Sequence, residues 1–165
     1  MMKRDNIAQT DGEIAKFIEL LDSTKELEGN IAEVGVFHGG TASIIHDHMA
    51  DGKKLYLYDT YVDDYDGVVN YFADKKNVEI IKCDFNNTQT VEGHFSFIHL
   101  DTDLYDSTLA GLEKFYPKMV KGGVIIVHDY THITCAGPQI ACCNFFADKP
   151  ETVTKNDSQG YYIKQ

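Results

Sequence analysis

Ile31-Ala32-Glu33-Val34-Gly35-Val36-Phe37-His38-Gly39-Gly40-Thr41 reads as an almost unbroken apolar strand running into a glycine turn and then into a helix. Ile31 to Phe37 lacks the in-out alternation of a half-exposed strand, which suits a strand covered on both faces, as in a parallel sheet. Gly35 and Gly39 have no Cβ, so the backbone there can come close to a ligand. Gly39-Gly40 open a helix through Ile44, Ile45 and His48 toward Gly52, which completes a first βα unit.

The pattern extends in both directions. Upstream, Ile14, Phe17, Ile18 and Leu21 recur at helical spacing behind a cap at Asp11, predicting an amphipathic helix that ends before Gly29 and packs on the sheet. Downstream, Lys54–Asp59, Val78–Cys83 and Phe95–Asp101 read as strands, with a helix over Asp63–Ala73 between the first two. Ser107–Tyr116 carries Leu109, Leu112, Phe115 and Tyr116 at helical spacing, Pro117 ends it, and Gly122-Gly123 lead into the strand Val124–Val127. After Gly137-Pro138 a helix runs through Ile140, Cys143 and Phe146. Thr152–Thr154 and Tyr161–Ile163, separated by Asn156-Asp157-Ser158-Gln159-Gly160, form a closing hairpin. The expectation is an α/β fold: a mostly parallel twisted sheet with helices on both faces and a C-terminal antiparallel hairpin, all in one domain over residues 1–165.

The 165 residues are 43% hydrophobic, enough for one sizeable core, and carry a formal charge of −11. A surface of that sign repels phosphates, which argues against nucleic acid or an anionic membrane as partner and favours a neutral or cationic small molecule. Met1-Met2-Lys3-Arg4-Asp5-Asn6 leads into polar residues rather than an apolar run, and no segment approaches the ~20 apolar residues of a membrane span, so the expected location is cytoplasmic. Cys83, Cys135, Cys142 and Cys143 lack CxxC spacing and read as reduced structural thiols.

Ligands of open α/β sheets collect beyond the carboxyl ends of the strands. Glu33, Asp59, Asp84, Asp101 and Asp129 stand at those ends. Any one of them can be an ordinary loop carboxylate; five in register are harder to dismiss. The glycine turn is not GxGxxG, since Phe37 occupies the place of the second glycine, which disfavours a nicotinamide dinucleotide. Asp59 lies where a carboxylate can accept from two ribose hydroxyls; its bland reading is a loop or capping aspartate.

Glu33-Val34-Gly35-Val36-Phe37-His38-Gly39-Gly40, Tyr58-Asp59-Thr60-Tyr61, His99-Leu100-Asp101-Thr102-Asp103-Leu104-Tyr105-Asp106-Ser107-Thr108 and Val127-His128-Asp129-Tyr130 resemble the successive motifs of the macrocin O-methyltransferase family, over roughly Asn30 to Phe146. The resemblance implies a Rossmann-like class I methyltransferase using S-adenosylmethionine. It further implies that Glu33, Val34, Gly35, Val36 and Phe37 line the methionine part of the cofactor, beside Gly39. By the same likeness Asp59 holds the ribose with Thr60 and Tyr61 beside it, and Asp84 and Phe85 border the adenine. It implies a magnesium ion on Asp101, His128 and Asp129. His128 stands where the family usually shows an acidic residue, and its nitrogen favours softer ions such as manganese, zinc or nickel. Asp103 reads as an alternative ligand or, preferably, a structural carboxylate of the loop.

The expected chemistry is metal-assisted transfer of a methyl group to a hydroxyl of a small polyhydroxylated, sugar-like acceptor, with Asp101 and either His128 or His132 as catalytic groups. No C-terminal histidine is present to act as base, and no lid insertion is evident. These departures also fit a second reading, a catalytically degenerate cofactor-binding module or partner subunit. An uncovered mouth leaves room for a neighbouring subunit in a homo-oligomer.

Overall fold

The computed structural model describes residues 9–87 and 91–165; Met1 to Asn6, read above for targeting signals, lie outside them. Seven strands share one sheet: β1 (Asn30–Val34), β2 (Leu55–Asp59), β3 (Val78–Lys82), β4 (Phe95–Leu100), β5 (Met119–Val127), β6 (Thr154–Asn156) and β7 (Gln159–Ile163), in the order β3-β2-β1-β4-β5-β7-β6. The first five pair in parallel, and β7 is antiparallel to both β5 and β6. Strand order reverses between β1 and β4, which places a crevice over their carboxyl ends.

Strand parity builds two cores. Ala32, Val34, Tyr58, Ile98, Leu100, Ile125 and Val127 face α4 (Tyr105–Phe115) and α5 (Ala136–Phe146). Ile31, Leu55, Leu57, Phe97, Val124 and Ile126 face α1 (Asp11–Ser23), α2 (Gly40–His48) and α3 (Tyr65–Phe72), where Phe17 meets Phe97 edge to face at 5.2 Å. The helices therefore cover both faces, as the near-continuous apolar strands require.

Several boundaries differ from the sequence expectation. The cap of α1 is Thr10, not Asp11: Thr10 Oγ1 accepts from Glu13 N while Glu13 Oε2 accepts from Thr10 N, a capping box. β1 stops at Val34, because Gly35 turns the chain at φ +85°. α5 starts at Ala136, with Gly137 and Pro138 inside its first turn, and it buries Ala141 and Cys142 while Ile140 and Cys143 are exposed. The hairpin is tighter than expected: Asn156 pairs with Gln159, leaving a two-residue turn of Asp157, at φ +54°, and Ser158. The four cysteines are free thiols. No helix among the described residues is long and apolar enough to cross a membrane.

Candidate active site

The parallel ladder decides which side chains meet above the sheet. Leu100 pairs with Val127, and the ladder continues one residue further: Asp101 N donates to Val34 O (2.8 Å) and His128 N to Leu100 O (2.9 Å). Asp101 and His128 thus emerge side by side from β4 and β5, with Asp129 following. His128 Nδ1 sits 3.1 Å from Asp101 Oδ1 and 3.3 Å from Asp129 Oδ2, aligned for a hydrogen bond with neither. Burial lowers the His128 pKa, but Asp101, Asp129 and the more distant Glu13 outweigh it and lift it to about 9. Burial likewise raises Asp101, and His128 with His99 more than reverses that, holding its carboxyl below the usual range. Asp103 moves the other way, to about 6, through burial and the neighbouring carboxylates Asp129 and Asp101.

A cleft of about 560 Å³ opens over the ends of β1, β2 and β4. Of the residues expected at the cofactor, Val34, Gly35, Phe37, Asp59, Thr60, Asp84, Phe85 and Asp101 line it. Glu33, Val36, Gly39 and Tyr61 do not. Glu33 lies within β1 rather than after it, so parity turns it to the α1 face; it is 1% exposed, with Oε1 2.8 Å from His99 Nδ1 on the adjacent strand. Burial pushes its carboxyl upward against the pull of His99. Val36 is core, and Tyr61 is buried with its hydroxyl donating to Leu57 O.

Asp59 is engaged by the chain itself. Its Oδ2 accepts from Val36 N (2.6 Å) and Phe37 N (2.9 Å), and its Oδ1 from Tyr61 N (2.7 Å) and Thr60 Oγ1 (3.2 Å). Four donors fill a carboxylate, so Asp59 is a strut that pins the glycine turn to β2. A ribose hydroxyl reaching Oδ1 has to displace the Thr60 hydroxyl, the one donor of the four that can rotate away.

A second cavity, about 520 Å³, lies on the other side of His128 and Asp129. Of its lining, sequence reading singles out Asp103, His128, Asp129 and His132; Thr10, Glu13, Thr134, Cys135, Asp157 and Ser158 join them through the fold. Glu13 accepts from Ser158 N (2.9 Å) and from the Ser158 hydroxyl, Thr10 Oγ1 donates to Asp157 Oδ2 (3.1 Å), and Thr131 Oγ1 donates to Asp157 O (2.7 Å). The start of α1, the hairpin turn and the loop after β5 are latched together by these bonds. His132 Nδ1 lies 3.0 Å from the Thr134 hydroxyl, which fixes the ring while leaving the other nitrogen for a ligand. Six non-glycine residues among those described have positive φ; Phe37 lines the cleft, Asp157 the second cavity, and Asp103 and Asp129 both, so four of the six strained positions border the two cavities.

The family model described as macrocin-O-methyltransferase (TylF) matches residues 65–164. The chain belongs to this family. It is therefore a methyltransferase of the S-adenosylmethionine-dependent kind, and the motifs after β4 and β5 fall inside the matched stretch. No curated protein matches the sequence. Among solved structures, the O-methyltransferase NovP is 19% identical with a TM-score of 0.82, covering 93% of this chain and 80% of NovP. CalS11, a TDP-rhamnose 3'-O-methyltransferase of calicheamicin biosynthesis, is 16% identical with a TM-score of 0.76, covering 92% of this chain and 78% of CalS11. The Streptococcus mutans protein SMU.1697c, solved with SAH, is 15% identical with a TM-score of 0.75 over the full length of both chains. At these identities the likeness concerns the fold, and it confirms the Rossmann-like class I architecture.

Proposed function

We propose that this methyltransferase, acting as a single domain over residues 1–165, methylates a hydroxyl of a small polyhydroxylated, sugar-like acceptor, with a divalent metal on Asp101, His128 and Asp129. The carrying observation is this trio standing in the wall between the two cavities. The names of NovP and CalS11, an O-methyltransferase and a TDP-rhamnose 3'-O-methyltransferase, support the choice of oxygen acceptor.

The trio fits a metal. His128 Nδ1 is buried and unbonded between two carboxylate oxygens. Its 3.1 and 3.3 Å separations from them are close to the roughly 3 Å between adjacent ligands of an ion with ~2.1 Å bonds. One nitrogen and two carboxylates suit manganese or magnesium, manganese better. A bound ion would act as a Lewis acid on the acceptor hydroxyl and lower its pKa. Bound S-adenosylmethionine would supply an electrophilic methyl group.

The rest falls to the chain. Val34, Gly35, Phe37 and Thr60 wall the cleft, and Asp84 and Phe85 close its far end. Phe85, stacked on Phe115 with ring centroids 5.5 Å apart, offers a flat apolar edge where the adenine is expected. His128, committed to the ion, would not be free to act as a base; His132, in the second cavity, would take the acceptor proton.

The test is calorimetry with SAH beside a methyl-transfer assay in manganese, on the wild-type protein and Asp101→Asn. The substitution is expected to abolish metal-dependent turnover and leave SAH binding nearly intact. Turnover that survives a chelator would refute the metal role, and absence of SAH binding would refute the cofactor cleft.

A further inference from the structure

Two buried polar residues of the sheet, Glu33 and His99, have no part in the function described so far. Neither lines either cavity, and they are 1% and 0% exposed. β1 and β4 pair in register at these positions, so both side chains leave the sheet on the α1 face, with Glu33 Oε1 2.8 Å from His99 Nδ1. His99 pairs in turn with Ile126 of β5, and two residues beyond Ile126 stands His128, on the same face by the same parity. The His99 ring is clasped edge to face between Phe17, whose ring centroid is 5.1 Å away, and His128, whose centroid is 6.4 Å away. Glu33 thereby fixes the rotation of a ring against which His128 rests.

Packing alone does not account for the pair. Glu33 Oε2 and His99 Nε2 are buried without a hydrogen-bond partner among the described residues, and such atoms cost stability. Two apolar side chains would fill the space without that cost. They would also lack the bond that gives the His99 ring one orientation. His128 needs a neighbour of that kind, because no hydrogen bond to its own Nδ1 holds the ring.

We propose that Glu33 and His99 are positioning residues for the metal trio: the Glu33 carboxyl locks the His99 ring, and that ring holds His128 with Nδ1 toward Asp101 and Asp129. The proposal rests on the reading of the trio as a metal site. It moves Glu33 from the cofactor, where the family resemblance put it, to the support of the ion.

The experiment is calorimetry on the full chain, titrating manganese chloride and, separately and without metal, SAH. The proteins are the wild type, Glu33→Gln and the double variant Glu33→Leu with His99→Leu, each held below its own Tm. Glu33→Gln keeps a group able to bond His99 Nδ1 and is expected to hold manganese within about twofold of the wild type, whereas the double variant is expected to hold it about tenfold more weakly. SAH affinity is expected to stay unchanged in both. A merely structural pair lowers Tm and leaves the folded protein's manganese affinity alone, so wild-type affinity in the double variant overturns the proposal. Loss of SAH affinity in Glu33→Gln also overturns it, because that returns Glu33 to the cofactor. Should the double variant not fold, Glu33→Asp takes its place: it draws the carboxyl back from His99 by one methylene and is expected to weaken manganese about fivefold, unchanged affinity again being fatal. A wild type that binds SAH but no manganese removes the trio reading and the pair with it, a result distinct from manganese binding that the substitutions do not alter.

Discussion

Gly35→Ala tests whether the glycine turn is needed for contact between strands or only for its backbone angle. Gly35 sits at φ +85°, where an alanine costs about 1–2 kcal/mol. Its added Cβ would also overlap the Asp101 carbonyl oxygen and lie 2.7 Å from the carbonyl carbon, both backbone atoms of the adjacent strand end. Neither can move without opening the ladder, since Asp101 N is bonded to Val34 O and Gly35 N to Tyr58 O. Overpacking of that kind adds about 1–3 kcal/mol, for a total of about 2–5 kcal/mol. For a chain of this length each kcal/mol lowers Tm by about 2–4 °C, so the expected drop is roughly 4–20 °C. Gly52→Ala is the control: φ is +88° but nothing lies within 4 Å of the new Cβ, so only the backbone cost applies, about 2–8 °C. Thermal unfolding followed by circular dichroism compares the two. A Gly35→Ala midpoint within about 2 °C of Gly52→Ala would refute the reasoning, because it would mean that the two strand ends are not locked.

The Glu13 latch carries a pH signature. Burial raises the Glu13 pKa, but hydrogen bonds from Ser158 and Thr10 outweigh it and hold the carboxyl below its ordinary 4.5. A depressed carboxyl stabilises the fold above the unfolded pKa and loses that contribution as pH falls through the folded value. Glu13→Gln is thus expected to cost about 1–3 kcal/mol at pH 7 and progressively less below about pH 4; a Tm gap that stays constant down to pH 3 contradicts the latch. On α5, Cys142→Ser introduces a hydroxyl into a fully buried site and is expected to cost about 1–3 kcal/mol, whereas Cys143→Ser on the exposed face stays within about 0.5 kcal/mol. Denaturant midpoints measure both, and equal losses would mean that the helix presents a different face.

The parallel sheet was legible because its inner strands are apolar on both faces, and the site because carboxylates after such strands gather at one edge of the sheet. Parity was harder to read. Whether Glu33 points to the cleft or to α1 depends on whether β1 ends before or after it, and apolar Val34 and Val36 on either side of Gly35 hide that end. α5 misled for a related reason: Ile140-Ala141-Cys142-Cys143-Asn144-Phe145-Phe146 is apolar nearly all round, so periodicity does not select a face. His99 carries no motif of its own; it matters because register sets it opposite Glu33. The second cavity could not be seen at all, since it joins the start of the first helix to a turn 145 residues later.

That separation has a consequence for how the molecule is made. Every strand end that frames the first cleft is in place once the chain has emerged as far as Asp129, and a nascent polypeptide of that length already contains the glycine turn with its aspartate strut. The other compartment waits for Ser158, because Glu13, though it caps α1 locally, cannot tie that end to the rest of the cavity until the hairpin turn arrives. Contacts so distant in sequence are slow to find each other. During synthesis the molecule gains its floor for one ligand well before it gains the walls for the other.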